Sequence, residues 1–134
     1  MKILIIEDDY SANSIFNIYL GKYGDCDSVT TGFDGMKKFR ETLDKGLTYD
    51  LIVIDIILPD MNGYTVLDSI RAEEDARKFT DEMRAKIVLT TSLDDDENRK
   101  LREKLRYGYE NYYVKSPVLD GLQDKLLELG IKLN

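Results

Sequence analysis

The chain has 134 residues, one cysteine, no histidine and a formal net charge of −7 at neutral pH. This length suits one domain, and the negative charge argues against a nucleic-acid binder, whose affinity rests on Lys and Arg meeting phosphates. The absence of histidine excludes histidine bases and histidine metal ligands, so oxygen ligands would hold any metal, which favours Mg²⁺, Ca²⁺ or Mn²⁺ over zinc.

Apolar runs alternate with helical patterns along the whole chain. In chain order the predicted elements are a strand at 2–6, a helix at 11–24, a strand at 28–31, a helix at 35–46, a strand at 51–55, a helix at 63–84, a strand at 86–91, a helix at 94–108, a strand at 111–115 and a helix at 119–130. Five strands alternating with five helices are typical of a parallel sheet covered on both faces. We therefore predict one α/β domain of the doubly wound kind.

Helical spacing also predicts which side chains face the core. The first helix is expected to begin at Asp9 or Ser11 as its N-cap. The predicted inward-facing residues are, helix by helix, Ile15, Ile18 and Tyr19; Met36, Phe39 and Leu43; Val66, Leu67 and Ile70; Leu101 and Leu105; and Leu122, Leu126 and Leu129.

The setting of the domain follows from a few simple features. Cys26 has no partner for an internal disulfide, which fits a reducing compartment. The N-terminal apolar run is too short for a signal peptide, and no stretch approaches the roughly 20 apolar residues of a membrane span. We expect a cytoplasmic domain that binds neither nucleic acid nor membrane.

Polar residues follow the strands at their carboxyl ends, where open parallel sheets bind their ligands. The residues concerned are Glu7, Asp8 and Asp9 after the first strand, Asp55 at the end of the third, Thr90, Thr91 and Ser92 at the end of the fourth, and Lys115 at the end of the fifth. Each such group suits phosphate or metal chemistry, so this edge of the sheet is the predicted site.

Three carboxylates would converge there if the first and third strands are neighbours. Glu7, Asp8 and Asp55 would then repel one another, and a divalent cation such as Mg²⁺ would relieve the repulsion. Lys115 would add a positive charge on the other side, leaving room for a small anion. A carboxylate can itself attack phosphorus to form an acyl phosphate, with Asp55 the best-placed nucleophile and Thr91 a donor to a phosphoryl oxygen.

Four stretches together resemble a known family, the receiver domain of bacterial two-component response regulators. They are ILIIEDD (3–9), DLIVIDIILPDMNG (50–63), IVLTTS (87–92) and GYENYYVK (108–115). The Asp-x-x-x-Pro-x-Met-x-Gly run that starts at Asp55 is the most specific of them. The resemblance covers almost the whole chain and implies a flavodoxin-like (βα)5 fold with strand order 2-1-3-4-5.

The resemblance implies a phosphoacceptor site that uses Mg²⁺, or alternatively Mn²⁺. Asp55 would take the phosphoryl group from a phosphohistidine on a histidine kinase or phosphotransfer protein. Asp8 would bind the cation directly, Glu7 through water, and Ile57 through its backbone carbonyl. Beyond catalysing its own phosphorylation and dephosphorylation, such a domain is not an enzyme.

The resemblance also implies a switch. Lys115 would pair with the phosphoryl group, Thr91 would move toward it, and Tyr112 would follow by turning inward. A downstream protein target would then bind the face made by helix four, strand five and helix five. The predicted domain spans residues 1–134, with no effector domain after its last helix, so output is expected through protein contact.

Three positions depart from the family pattern. The usual Lys-Pro is here Lys115-Ser116-Pro117, so the Ser116–Pro117 bond could be cis or trans. Thr90 is an alternative to Thr91 as the hydroxyl residue. Tyr109 replaces a small residue on the partner-binding face.

Other functions remain as alternatives. A degenerate receiver would signal by binding without phosphorylation. A hydrolase with Asp55 as nucleophile lacks the second aspartate two residues on, where Ile57 stands. A flavin domain is disfavoured because the first strand–helix turn is acidic and has no glycine. The acidic run at 94–98 is read as a helix N-terminus rather than a second metal site.

Overall fold

The structure, a computed structural model, describes residues 1–92 and 110–133. Its strands are β1 (Lys2–Ile6), β2 (Asp25–Val29), β3 (Leu51–Asp55), β4 (Lys86–Thr91) and β5 (Glu110–Val114). Its helices are α1 (Tyr10–Leu20), α2 (Gly32–Asp44), α3 (Gly63–Ala76) and α4 (Leu122–Glu128), with a short 3₁₀ helix at Asp81–Met83. The predicted helix at 94–108 with Leu101 and Leu105, the acidic run at 94–98 and Tyr109 lie outside the described residues.

All strand pairs are parallel, and the sheet order is β2-β1-β3-β4-β5. This confirms the predicted fold class and strand order. The central strand β3 has β1 on one side and β4 on the other. The carboxyl ends of β1, β3, β4 and β5 therefore meet at one edge of the sheet, with β1 and β3 adjacent as the site prediction required.

The apolar strands bury both of their faces, because side chains alternate across a strand. On one face Leu4, Ile52 and Ile54 pack with α2 and α3, and on the other Ile5 and Val53 pack with α1 and α4. Each residue of β3 before Asp55 has no exposed surface. The apolar run that precedes Asp55 is therefore a core strand covered on both sides, as predicted.

The inward faces of three helices are confirmed. Their predicted residues are all buried, namely Met36, Phe39, Leu43, Val66, Leu67, Ile70, Leu122, Leu126 and Leu129.

The predicted inward face of α1 is wrong, because Phe16 and Leu20 are buried while Ile15 and Ile18 are exposed. Tyr19 is partly buried. Two asparagines on α1 account for the rotation, since Asn13 donates to the Glu7 carbonyl (2.9 Å) and Asn17 donates to Ser28 Oγ. These bonds turn both amides toward the sheet, which places Phe16 and Leu20 over it and leaves the two isoleucines outside.

Several element boundaries also differ from the predictions. α1 ends at Leu20 rather than residue 24, and α3 ends at Ala76 rather than residue 84. Lys78, just beyond α3, has φ of 59°, a left-handed conformation that cannot continue a helix. Gly121, with φ of 80°, likewise delays α4 to Leu122 instead of residue 119.

Edge pairing decides the position of β2, which begins three residues and ends two residues earlier than predicted. It pairs with β1 from Asp25 to Val29, and its sequence DCDSV is too polar to read as a strand. Thr31 is instead the N-cap of α2, where its hydroxyl accepts the N–H of Asp34 (3.0 Å). α2 accordingly spans 32–44 rather than 35–46, and β5 spans 110–114 rather than 111–115.

Within residues 1–92 and 110–133, none of the helices combines the length and apolar character needed to cross a bilayer.

The rotation of α1 predicts unequal costs for two substitutions on the same helix. Phe16→Ala should destabilise the domain by about 3–5 kcal/mol, because it empties a fully buried ring site. Ile18→Ala, at an exposed position, should change the free energy of unfolding by less than about 0.5 kcal/mol. Urea unfolding measures both, and a larger loss in the Ile18 variant would show that the helix is turned the other way.

Candidate functional site

The predicted carboxylates converge at the carboxyl edge of the sheet. Glu7, Asp8 and Asp55 each place a carboxylate oxygen within 4.8 Å of the others. Glu7 is fully buried, Asp55 is 6% exposed, and Asp8 is exposed to solvent. The cleft thus has two carboxylates in its floor and one at its mouth.

The ammonium of Lys115 lies between the two buried carboxylates. Its Nζ is 2.6 Å from Glu7 Oε1 and 3.1 Å from Asp55 Oδ2. The backbone N–H of Lys115 donates to the Thr91 carbonyl (2.7 Å), which extends the pairing of β4 and β5 by one residue. The lysine therefore stands where the sequence predicted a positive charge, facing Asp55.

Backbone donors hold the remaining oxygens of both acids. Asp55 Oδ1 accepts the N–H of Ile57 (3.0 Å) and Glu7 Oε2 accepts the N–H of Asp9 (3.3 Å). Asp9 in turn caps α1 by accepting the N–H of Ala12 (3.0 Å), which decides between the two predicted caps in favour of Asp9. Both buried acids are thus oriented by the loop that follows their own strand.

The loop after β3 folds back closely over Asp55. The N–H of Gly63 donates to the Ile56 carbonyl (2.7 Å), and a Cβ built on Gly63 would lie 2.4 Å from the Asp55 carbonyl oxygen. Only glycine permits this approach. The glycine that ends the Asp-x-x-x-Pro-x-Met-x-Gly run is therefore a packing requirement of the loop after β3.

Three residues that orient the site were missed from the sequence. Asn13 holds the backbone of Glu7 through the bond described above. Asp60 accepts the N–H groups of Gly32 and Phe33 (both 2.9 Å) and so ties the β3–α3 loop to the start of α2; the Phe33 bond, then the Gly32 bond, lower the pKa of its carboxyl. Asn62 caps α3 by accepting the N–H of Tyr64 (2.7 Å). Only the cap had a local sequence signal, an Asn directly before a helical pattern.

The two threonines at the end of β4 point to opposite faces of the sheet. Thr90 pairs with Asp55 in the register and shares its face. Thr91 shares the other face with Leu89 and Tyr112, which are partners across β4 and β5. Thr91 and Tyr112 are both buried, at 1% and 2% exposure. The two predicted switch residues thus lie on the same face of neighbouring strands, and Tyr112 points inward in this structure.

The loop after β5 departs from the usual Lys-Pro arrangement without a cis bond. Among the described residues every peptide bond is trans, so the Ser116–Pro117 bond is trans. This decides the alternative that the sequence left open.

Burial dominates the electrostatics of the cleft. It raises the pKa of Glu7 to about 8, and the neighbouring Asp55 carboxylate adds to this more than Lys115 offsets it. Burial lowers the pKa of Lys115, but its bond to Glu7 and the charge of Asp55 outweigh burial and raise it. Without a cation, burial and Asp55 therefore favour the protonated form of Glu7, while the carboxylate partners of Lys115 favour its charged form.

The residues fit a hard divalent cation. Three carboxylates with oxygens this close repel one another, and Mg²⁺ prefers such oxygens while keeping several waters. The exposed Asp8 is open to a cation, whereas both oxygens of Glu7 already meet donors. The backbone unit of Ile57 lies against Asp55, and the role of its carbonyl as a ligand stays a prediction.

Comparisons with known proteins agree with this geometry. The family model described as the response regulator receiver domain matches residues 3–126. The regulatory protein VanRB of Enterococcus faecalis is 33% identical over 100 residues, which cover 74% of this chain and 39% of VanRB. The hybrid signal transduction histidine kinase G of Dictyostelium discoideum is 34% identical over 92% of this chain, which spans 3% of that protein.

A solved structure shows the same architecture. The response regulator TrrA of Thermotoga maritima, in complex with Mg²⁺ and BeF, superposes with a TM-score of 0.69 and 27% identity, over 96% of this chain and 97% of TrrA. The chain spans half or less of the length of the first curated relatives it matches.

The raised pKa of Glu7 predicts a pH-dependent effect of Glu7→Gln. Because the folded state keeps the proton up to about pH 8 and the unfolded chain releases it near pH 4.5, the contribution of Glu7 to stability falls between these values. The glutamine variant lacks this fall, so its stability relative to the wild type should increase as pH rises from 5 to 8. Urea unfolding in metal-free buffer at several pH values measures the difference.

Glu82→Gln serves as the control for that series. Glu82 is exposed on the short 3₁₀ helix, far along the chain from the cleft. Its substitution should leave the pH slope unchanged. A Glu7 variant whose stability runs parallel to the wild type at every pH would contradict a raised pKa.

Proposed function

We propose that this chain, which belongs to the response regulator receiver domain family, takes a phosphoryl group onto Asp55 from a histidine kinase or phosphotransfer protein in a Mg²⁺-dependent reaction. The observation that carries the proposal is the joint placement of Asp55, Glu7 and Asp8 with the Lys115 ammonium 3.1 Å from Asp55. A carboxylate nucleophile, oxygen ligands for a cation and a fixed positive charge are the parts that phosphoryl transfer needs.

In the proposed reaction a carboxylate oxygen of Asp55 forms the new P–O bond. The P–N bond to the donor histidine breaks, and its electron pair returns to the imidazole nitrogen. Lys115 would shift from the Asp55 carboxylate to a phosphoryl oxygen, a short movement because its ammonium already touches that carboxylate. The hydroxyl of Thr91 would donate to another phosphoryl oxygen.

Asp8 and Asp55 would hold the cation directly, with Glu7 acting through water and Ile57 through its carbonyl. Bound there, Mg²⁺ or Mn²⁺ would neutralise charge that builds up on the phosphoryl oxygens. The exposed position of Asp8 and the saturated oxygens of Glu7 support this division of roles.

The phosphoryl donor would approach over α1 and the loop after β5. Ile15 of α1, which is 37% exposed, and Pro117 of that loop give this side of the cleft an apolar border. A cavity of about 350 Å³ lies between α1 and that loop, with Lys115 and Asp9 in its wall. Apolar surface beside a polar centre suits a partner protein that must present one histidine to Asp55.

Output would depend on Thr91 and Tyr112. A hydroxyl drawn toward the phosphoryl group would leave space beneath the end of β4, and the ring of Tyr112 on the same face would be held inward. The surface that changes comprises the predicted helix at 94–108, β5 and α4, where we place the downstream protein target. The acidic charge of the chain favours protein contact over direct nucleic-acid binding as the output of this domain.

The proposal keeps two further sequence predictions. The free Cys26 suits the reducing conditions of the cytoplasm, where we place this domain. The absence of enzymatic activity beyond self-phosphorylation and dephosphorylation stays a prediction.

Phosphorylation can be tested without knowing the kinase. Incubation with Mg²⁺ and acetyl phosphate should add the mass of one phosphoryl group, in an acid-labile form that disappears in Asp55→Asn. Asp68→Asn, at an exposed position of α3, is the matched control and should be modified like the wild type. If the intact mass never shifts while Mg²⁺ binds, the degenerate receiver becomes the better description.

Mg²⁺ should stabilise the fold in a pH-dependent way. At about ten times its dissociation constant, a cation bound only to the folded state adds about 1.4 kcal/mol. The rise in melting temperature should be clear near pH 7 and smaller near pH 4, where carboxylates approach their reference pKa of about 4 and protons compete with the metal. Asp8→Asn should remove most of the rise, and an equal rise at both pH values would exclude a carboxylate site.

A further inference from the structure

We propose that Ser116 is a positioning residue for Lys115: its hydroxyl closes the loop after β5 and so keeps the lysine ammonium between Glu7 and Asp55. The consequence for phosphoryl transfer rests on the proposed function. The positioning itself concerns only the described contacts and can be tested separately.

The Ser116 side chain and backbone bind the same short loop at two places. Ser116 Oγ accepts the N–H of Asp120 (2.7 Å), and the Ser116 carbonyl accepts the N–H of Leu119 (3.1 Å). From the strand side, the hydroxyl of Tyr113 donates to the Asp120 carbonyl (2.8 Å). The backbone of Asp120 is therefore held by one hydroxyl at its N–H and by another at its carbonyl.

The loop needs this support because its backbone is unfavourable. Leu119 has φ of 54°, a left-handed conformation that a residue with a Cβ rarely adopts. Its side chain is nevertheless buried, in the apolar cluster that contains Phe16. The burial of Leu119 and the two hydroxyl bonds together hold a turn that its backbone preference opposes.

Lys115 lies at the junction between the sheet and this loop. On the sheet side, the Thr91 carbonyl accepts the N–H of Lys115 and holds it in place. On the loop side, the next residue, Ser116, is held by its own bonds within the loop. The flexible lysine side chain reaches two carboxylates at once only if the backbone stays in place, because its stem has four carbons and many rotamers. Ser116 thus acts on the ammonium through the backbone and touches neither carboxylate itself.

The position of Pro117 explains why a serine is used here. Proline restricts its own φ and disfavours the helical region for the residue before it. With Ser116 inserted, that restriction falls on the serine rather than on Lys115. The serine hydroxyl supplies the constraint that Lys115 would otherwise lack.

The first test measures the reactivity of the Lys115 amine and needs no phosphoryl donor. Brief treatment with acetic anhydride, followed by peptide mass spectrometry, gives the acetylation rate of each lysine. Ser116→Ala should raise the rate at Lys115 several-fold relative to Lys22 and Lys125, which serve as internal references. Ser116→Thr, which keeps the hydroxyl, should restore the wild-type rate.

Ser69→Ala is the matched control, because it removes one hydroxyl and one intramolecular bond on α3, away from the cleft. It should leave the Lys115 rate unchanged. Tyr113→Phe removes the second hydroxyl of the loop and should act in the same direction as Ser116→Ala, which keeps the test available if the alanine variant fails to fold. Unchanged Lys115 reactivity in the folded variants, or an equal rise at all lysines, would overturn the proposal.

The second test uses acetyl phosphate and Mg²⁺. Ser116→Ala should slow phosphorylation of Asp55 several-fold, whereas Ser116→Thr and Ser69→Ala should match the wild type. Absence of phosphorylation in the wild type would reject the proposed function, yet the acetylation rates would still decide whether Ser116 positions Lys115. A normal phosphorylation rate in Ser116→Ala despite a mobile Lys115 would overturn the catalytic part of the proposal.

Discussion

The rest of the site depends on one ammonium between two buried carboxylates. Lys115 reaches Glu7 and Asp55 across 108 and 60 residues of sequence. Without it, both acids would face burial and mutual repulsion with no compensating positive charge, which would destabilise the folded domain. The order of β1, β3, β4 and β5 is what brings these three side chains to one edge.

A second cluster of charged side chains lies at the opposite edge of the sheet, where strands β4 and β5 begin. It has a structural role and differs from the cluster at the carboxyl edge. Arg71 contacts Glu74 at 2.6 Å and Glu110 at 2.9 Å, and Glu74 also accepts the N–H of Ala85 (2.9 Å). These buried charges join α3, β4 and β5, and each acid of the cluster meets a cation. At the carboxyl edge three acids lie close together, and Lys115 pairs with two of them, Glu7 and Asp55. The excess of negative charge at this edge favours binding of a cation, and the bound cation would then favour an anion. This charge imbalance distinguishes the carboxyl edge from the opposite edge.

Side chains that hold backbone groups shape the loops around the cleft. Asn13 holds the strand end at Glu7, Asp60 ties the β3–α3 loop to α2, and Ser116 closes the loop beyond Lys115. Each bond joins residues that the sheet or a turn has already brought close. Together they leave the side chains of the cleft little freedom, as positioning for the proposed phosphoryl transfer requires.

The sequence by itself determined the order of the described elements, the strands β1, β3 and β4 with their correct limits, and the polar residues at the strand ends. Apolar runs and period-3.6 patterns are local signals, which is why these features could be predicted. The identities of Asp55, Asp8, Glu7 and Lys115 as one cluster also followed, since parallel strands end together. Only the tertiary structure decided the rotation of α1, the true position of the polar edge strand β2, the trans bond before Pro117 and the roles of Asn13, Asp60 and Ser116. Those features depend on which groups become neighbours after folding, and no local sequence pattern encodes that, even where the partner is as near in sequence as Asp120 is to Ser116.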